Sequence, residues 1–253
     1  MSIKTATLNG VATIEIARPE KKNAITGAMY LQLAQAFVAA REDKAVRAVL
    51  LTGQPGIFTS GNDIDDFVKR RPSLEEAPSF AFMKTLMGCD KPVVAAVTGA
   101  AIGIGTTMLL HCDFVFVSDE ARLAMPFVSL GLVPEFGSSL IVPQLMGNVR
   151  ASEKLLLGEP FTGAEAVECG IANAVLPASE VVKHARRIAE RFNALPPGAV
   201  QETKRLLQRS RSALLIERIG VENQAFGACL QSPEAKEAFS AFFEKRKPDF
   251  SRF

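Results

Sequence analysis

Glu135 is the only acidic residue between Glu120 and Glu153, and it sits in an apolar run, PFVSLGLVPEFGSS, just ahead of a segment patterned as a helix. A carboxyl group in such surroundings loses solvation, which raises its pKa towards the range where it can take and return protons at neutral pH. Taken alone, Glu135 reads more simply as a solvated loop glutamate after Pro134. Competing acid–base groups are few. The chain has two histidines, His111 and His184, in no HExxH or HxxxH spacing. That disfavours a histidine-based zinc site and a Ser-His-Asp triad, so acid–base work falls to a carboxylate and no metal is expected. Two glycine-containing loops supply a complementary chemistry. FTSGNDIDDF, residues 58–67, follows a predicted strand, and GAAIGIG, residues 99–105, lies between a predicted strand and a helix. The first also reads as a plain turn with Asp63 or Asp65 capping a helix. The second is no dinucleotide fingerprint, because GxGxxG would need glycine where Met108 stands. Backbone N–H groups from two such loops are what an oxyanion hole requires.

Positioning these residues takes an alternation of strands and helices. Strands are predicted over 11–17, 45–53, 92–97, 113–119 and 122–125, and helices over 24–43, 103–111 and 137–147, which implies an α/β core with parallel pairing. The uncharged stretch 92–112 has the length of a membrane span, but three glycines interrupt it and its start is β-branched, so it reads as buried core. After about Asn148 the pattern reads as helical throughout. Thr162 with Glu165 forms a capping box, and Ser232-Pro233-Glu234 forms an N-cap and first turn. Leu195-Pro196-Pro197-Gly198 reads as a linker, dividing the chain into a core, 1–197, and a helical region, 198–253, whose apolar segments FGACL and AFSAFF need burial against something.

The 253 residues are 48% hydrophobic and 22% charged with net charge +2, which excludes disordered, collagen-like and disulfide-scaffold classes and gives no footprint for a dedicated nucleic-acid binder. Four cysteines without a CxxC pair, and a start with no secretory apolar stretch, lead to the expectation of free thiols and a cytoplasmic protein.

Taken together, IARPEKKNAIT, FTSGNDIDDF, KPVVAAVTGAAIGIG, PFVSLGLVPEFGSS and FFEKRKPDF resemble, in this order and over almost the whole chain, the crotonase (enoyl-CoA hydratase/isomerase) superfamily. The resemblance implies a spiral of ββα units over 1–197 that binds and transforms acyl-CoA thioesters, and a trimerisation region over 198–253 that forms homotrimers or dimers of trimers. It implies no cofactor, coenzyme A being part of the substrate, and neither a nucleic-acid nor a membrane partner. The backbone N–H groups of Asn62 and Ile104 would hold the thioester oxygen, with Ser60, Gly61 and Gly103 shaping the two loops. Lys22, Ala24, Asp63 and Ile64 would line the coenzyme A arm. Lys21, Lys22 and the cluster Lys69-Arg70-Arg71 are candidates for its phosphates, although a solvated face explains the cluster equally well.

Where hydratases of the family carry two glutamates, this chain has Thr107 and Phe127, neither a base at neutral pH. Glu135 instead matches the single catalytic glutamate of delta-3,delta-2-enoyl-CoA isomerases, most closely the peroxisomal type, with Phe127 as water-excluding packing. The ending Ser251-Arg252-Phe253 lacks a Ser-Lys-Leu address. Hydration, another acyl-CoA reaction such as thioester cleavage, or a non-catalytic binding role are the alternatives. The stretch from Arg71 to Met87 reads as an apolar lid or, equally, a surface helix.

Overall fold

Strands that run apolar at every position need cover on both faces. The structure, a computed structural model, describes residues 2–69 and 77–253 and shows how that cover is built. The elements are β1 (Ile3–Leu8), β2 (Val11–Ile16), α1 (Gly27–Glu42), β3 (Ala48–Thr52), β4 (Ile57–Thr59), α2 (Ile64–Lys69), α3 (Pro78–Met87), β5 (Val93–Val97), β6 (Ala100–Ile102), α4 (Ile104–Thr107), β7 (Phe114–Ser118), β8 (Arg122–Ala124), α5 (Ser138–Met146), α6 (Asn148–Ser152), β9 (Phe161–Thr162), α7 (Gly163–Glu168), β10 (Ala174–Leu176), α8 (Ala178–Glu190), α9 (Pro197–Leu230) and α10 (Pro233–Glu244).

From β3 to β8 successive strands fall alternately into two sheets. One is ordered β1-β2-β3-β5-β7-β10 and the other β4-β6-β8-β9. Pairing is parallel except between β1 and β2 and between β8 and β9. This is the spiral that the resemblance implies: each turn lays one strand in each sheet before the chain moves on. In the larger sheet, Ala48, Leu50, Val94 and Ala96 face Val181, Ala185 and Ala189 of α8. Their neighbours Val49, Leu51, Val93, Ala95 and Val97 face the main core. The period of two thus assigns each apolar residue of β3 and β5 to one of two apolar layers. The uncharged stretch 92–112 is this buried core, and among the described residues no helix is long and apolar enough to cross a membrane.

The helical reading beyond Asn148 needs correction at two places, where β9 and β10 interrupt it. Both are two or three residues long and exist because β8 and β7 offer edges to them, a non-local condition that no periodicity over so few residues reveals. β1, an antiparallel edge strand, was not anticipated either. Both predicted caps are present: Thr162 and Glu165 form the reciprocal box at α7, and Ser232 accepts from Ala235 N–H at the start of α10. α9 begins at Pro197 and returns along the core, where Leu215, Ile219 and Phe226 join the same apolar cluster as β3 and β5. An ion pair fastens its start, the buried Lys204 Nζ lying 2.6 Å from Asp113 Oδ2 at the surface. Leu206, Leu207, Leu214, Ile216, Val221, Phe242 and Phe243 remain exposed along α9 and α10.

Candidate active site

The segment before α1 is locked to β4 by one side chain. Asn23, fully buried in the left-handed region with φ 55°, donates through Nδ2 to the carbonyls of Ile57 and Phe58 and accepts from Arg18 N–H. Thr59 Oγ1 in turn donates to the Asn23 carbonyl at 2.7 Å. Sequence reading missed this hub, although it lies within the KKNAI stretch. The lock places Ile25 beside Asn62 as a parallel bridge, made through Gly61 O and Asp63 N–H. In that geometry the N–H of Asn62 itself points away from Ile25 and has no protein acceptor among the described residues.

The second corner lies against the first. Gly61 has φ 92°, and a Cβ there would stand 2.8 Å from the carbonyl oxygen of Ile102, so only glycine lets the two backbones approach so closely. Ile104 is the first residue of α4, a position whose N–H has no intrahelical acceptor. Gly103 turns the chain into it with φ 58°, and Phe127, buried, packs its ring against this corner. Both predicted donor loops therefore meet, and Asn62 lines a pocket whose walls include Tyr30, Glu135, Met83, Phe226 and Leu230.

Glu135 reaches that pocket from the turn before α5. It is 7% exposed, and burial pushes its pKa up to about 8, with the Glu222 charge adding to the rise and the Thr107 hydrogen bond opposing it. Thr107 Oγ1 donates to Glu135 Oε1 at 2.5 Å. Tyr30 Oη donates to Asn62 Oδ1 at 2.6 Å, and burial together with the Glu135 charge holds its phenol well above the usual range. The pocket thus sets a proton-exchanging carboxyl group beside a corner that offers a free backbone donor. A site of that make can remove a proton next to a carbonyl and stabilise the resulting oxyanion.

The remaining expected residues fall into two groups. Asp63 lines the pocket but also caps α2 by accepting from Asp66 N–H, as the plainer reading held, and pairs with Arg18 at 2.6 Å. Burial acts to raise its pKa, and Arg18, the Asp66 N–H and the Lys21 charge together outweigh that and hold it below the usual carboxylate range. Ser60 and Ala24 are bound into the locked segment through their backbones, and Ile64 opens α2 against the core. Lys21 and Lys22 are exposed beside them. Arg70 and Arg71 lie outside the described residues, as does the first part of the expected lid up to residue 76. Its remainder is α3, a helix fixed by Phe82 against Tyr30, Phe37 and Phe136, with Phe80 and Met83 facing the pocket. The four cysteines are free, and burial raises the thiols of Cys89 and Cys112.

Tyr30, Asn223, Phe226 and Glu222 were not anticipated. The last three arrive on α9, where they look like ordinary positions of an amphipathic helix, and nothing in IERIGVENQAF marks them.

A two-sheet spiral in which a backbone-donor corner at Asn62 and the buried carboxyl group of Glu135 line one pocket, with Ile104 behind its wall rather than lining it, is the arrangement of the crotonase class of acyl-CoA enzymes. The comparisons agree: the enoyl-CoA hydratase/isomerase profile matches residues 6–252, and the chain belongs to that family. It is 50% identical to the structure of Pseudomonas aeruginosa OdaA, with a TM-score of 0.93 over 95% of this chain and 98% of that one. The 2,3-dehydroadipyl-CoA hydratase of Escherichia coli is 29% identical over 95% of this chain and 94% of its own length. Enoyl-CoA delta isomerase 2 of Rattus norvegicus is 35% identical over 81% of this chain, a match that spans 54% of the rat protein. Relatives named as hydratases and as isomerases thus both stand close to it.

Proposed function

We propose that this enzyme is a delta-3,delta-2-enoyl-CoA isomerase serving acyl-CoA degradation. The observation that supports the reading is the pairing of Thr107 with Glu135: the neighbour of the one deeply buried carboxyl group in the pocket is a hydroxyl, not a second carboxylate. In this reading Glu135, ionised, takes a proton from C2 of a 3-enoyl thioester. The electron pair moves onto the thioester oxygen, where the N–H groups of Asn62 and Ile104 receive the charge of the dienolate. The Glu135 carboxylic acid then returns the proton to C4, leaving the trans-2-enoyl thioester and the ionised base. A pKa of about 8 lets the same group lose and regain a proton near neutrality. Phe127 and the apolar pocket wall keep water from adding to the product. Lys22, Ala24, Ser60, Gly61, Asp63, Ile64 and Gly103 frame the coenzyme A arm and the thioester. The exposed apolar residues of α9 and α10 become the contacts of a homotrimer or a dimer of trimers.

The relatives named as hydratases favour a second reading, addition of water to a 2-enoyl thioester. A paired assay on trans-3-hexenoyl-CoA and trans-2-hexenoyl-CoA separates the two. Wild type is expected to conjugate the first substrate and to hydrate the second little, while Glu135→Ala loses conjugation by about a thousandfold or more, within the usual range for a general base. Rapid hydration of the 2-enoyl substrate that persists in Glu135→Ala overturns both the isomerase and its base.

A further inference from the structure

We infer that Glu222, on the tail helix α9, is a positioning residue for Glu135: it braces the turn that presents the catalytic carboxyl group, an inference resting on Glu135 being the base. The turn needs bracing. Phe136 and Gly137, the two residues after Glu135, both have left-handed backbone, with φ 58° and 75°. For phenylalanine that conformation is unfavourable and persists only where its surroundings impose it. Two groups hold it. His111 Nε2 lies 2.8 Å from the Phe136 carbonyl, to which it must donate because a carbonyl only accepts, and its ring stacks on the Phe136 ring. From the other side Glu222, 5% exposed, accepts from Gly137 N–H at 2.6 Å, Ser139 N–H at 2.9 Å and Ser139 Oγ at 2.6 Å.

A buried carboxylate is costly unless its oxygens are satisfied, and among the described residues every hydrogen bond given to Glu222 comes from the segment that follows Glu135. Those donors are the start of α5, where a negative charge also meets the positive end of the helix. Gly137 closes the contact sterically, since a Cβ there would stand 2.2 Å from Leu215 Cδ1 of α9. The tail helix therefore holds the Glu135 turn by an apolar seat and by a polar clamp that spans more than eighty positions of sequence.

The same carboxylate acts on Glu135 through its charge. The titratable or charged groups facing Glu135 are Glu222 from α9 and Tyr30 from α1, with Thr107 of α4 hydrogen-bonded to it and His111 beyond Phe136. Arg218, on α9 itself, faces Glu222. Removing the Glu222 charge removes one of the causes that raise the Glu135 pKa, so a purely structural clamp and a clamp that also tunes the base differ in their pH behaviour.

The test uses the full chain with Glu222→Gln, which keeps the shape and loses the charge. Two quantities are read: kcat and KM for trans-3-hexenoyl-CoA across pH, and the titration midpoint of the Glu135 carboxyl carbon by 13C NMR, assigned with Glu135→Gln. The expected result is a fall of about tenfold in the plateau kcat, KM within about twofold, and a midpoint lowered by about half a unit or more. Unchanged plateau and midpoint overturn the inference, as does a change confined to KM. If Glu222→Gln does not fold, Ser139→Ala, which removes one of the three hydrogen bonds, carries the same readings with a smaller expected fall. Turnover retained in Glu135→Gln would instead sink the reading of Glu135 as base, and the NMR midpoint still reports whether Glu222 acts on that group.

Discussion

The donor corners at Gly61–Asn62 and Gly103–Ile104 are shaped by backbone within the spiral, whereas the Glu135 turn is held by side chains from two other parts of the chain, the helical segment 104–111 and α9. On the donor side, glycines with positive φ and the neighbouring Asn23 lock set the backbone, and a charged pair beside them, Arg18 with Asp63, ties the locked segment to the loop after Asn62. On the carboxyl side, Thr107, His111 and Glu222 each supply a hydrogen bond, and burial leaves a group whose protonation is set by its neighbours. Backbone donors need geometry alone, since an N–H does not titrate. A carboxyl group needs geometry and a tuned pKa, and tuning requires contributions from outside its own loop.

That contrast can be broken most severely at Glu135 itself. A folded-state pKa of about 8 stands above the ordinary carboxylate value of 4.5, so the stabilisation belonging to the neutral form is fully present below pH 4.5 and is lost as pH rises through about 8. Glu135→Gln, which stays neutral, is expected to abolish turnover while melting higher than wild type at pH 8 and nearly equal to it at pH 4.5. Wild-type kcat rises with pH through the same midpoint. Thermal scans at the two pH values check this, and a Gln variant that melts lower than wild type at pH 8 would contradict the burial argument.

A smaller effect is expected from the donor side. Gly61→Ala forces a Cβ towards the Ile102 carbonyl at φ 92°, and should cost on the order of 1–3 kcal/mol of stability with about a hundredfold loss of turnover. Its pH–rate midpoint should not move. A shifted midpoint would show that the two regions are not separable.

The mildest change is Thr107→Val, which removes the hydroxyl that donates to Glu135. Because that hydrogen bond opposes the rise in the Glu135 pKa, its loss should push the pH–rate midpoint upward and lower kcat at neutral pH by roughly tenfold. A midpoint that falls or stays put would show that the hydroxyl does not donate to the ionised form. Together the three variants sort the pocket into residues that move the midpoint and residues that do not.

Residues that act locally were readable from order along the chain. The strands β2, β3, β5 and β7, the glycine corners and both helix caps depend on patterns a few residues long, and all are where the sequence places them. The apolar setting of Glu135 also singled it out, although taken alone it read more simply as a solvated loop glutamate, and the structure buries it. Asn23, Tyr30 and Glu222 were not readable, because an asparagine in a turn, a tyrosine in a helix or a glutamate in a long amphipathic helix carries no mark of its partner.

By itself, then, the sequence determined the alternation of strands and helices, the two donor loops and the carboxyl group, since propensity, apolar period and glycine placement act over short spans of chain, while the spiral came only from the family resemblance. Only the tertiary structure decided that α9 folds back on the Glu135 turn, that β9 and β10 find edges to join, and that Glu135 sits against a hydroxyl with a second buried carboxylate nearby. Those contacts join residues far apart in the chain, and a buried group's pKa is a property of everything packed around it.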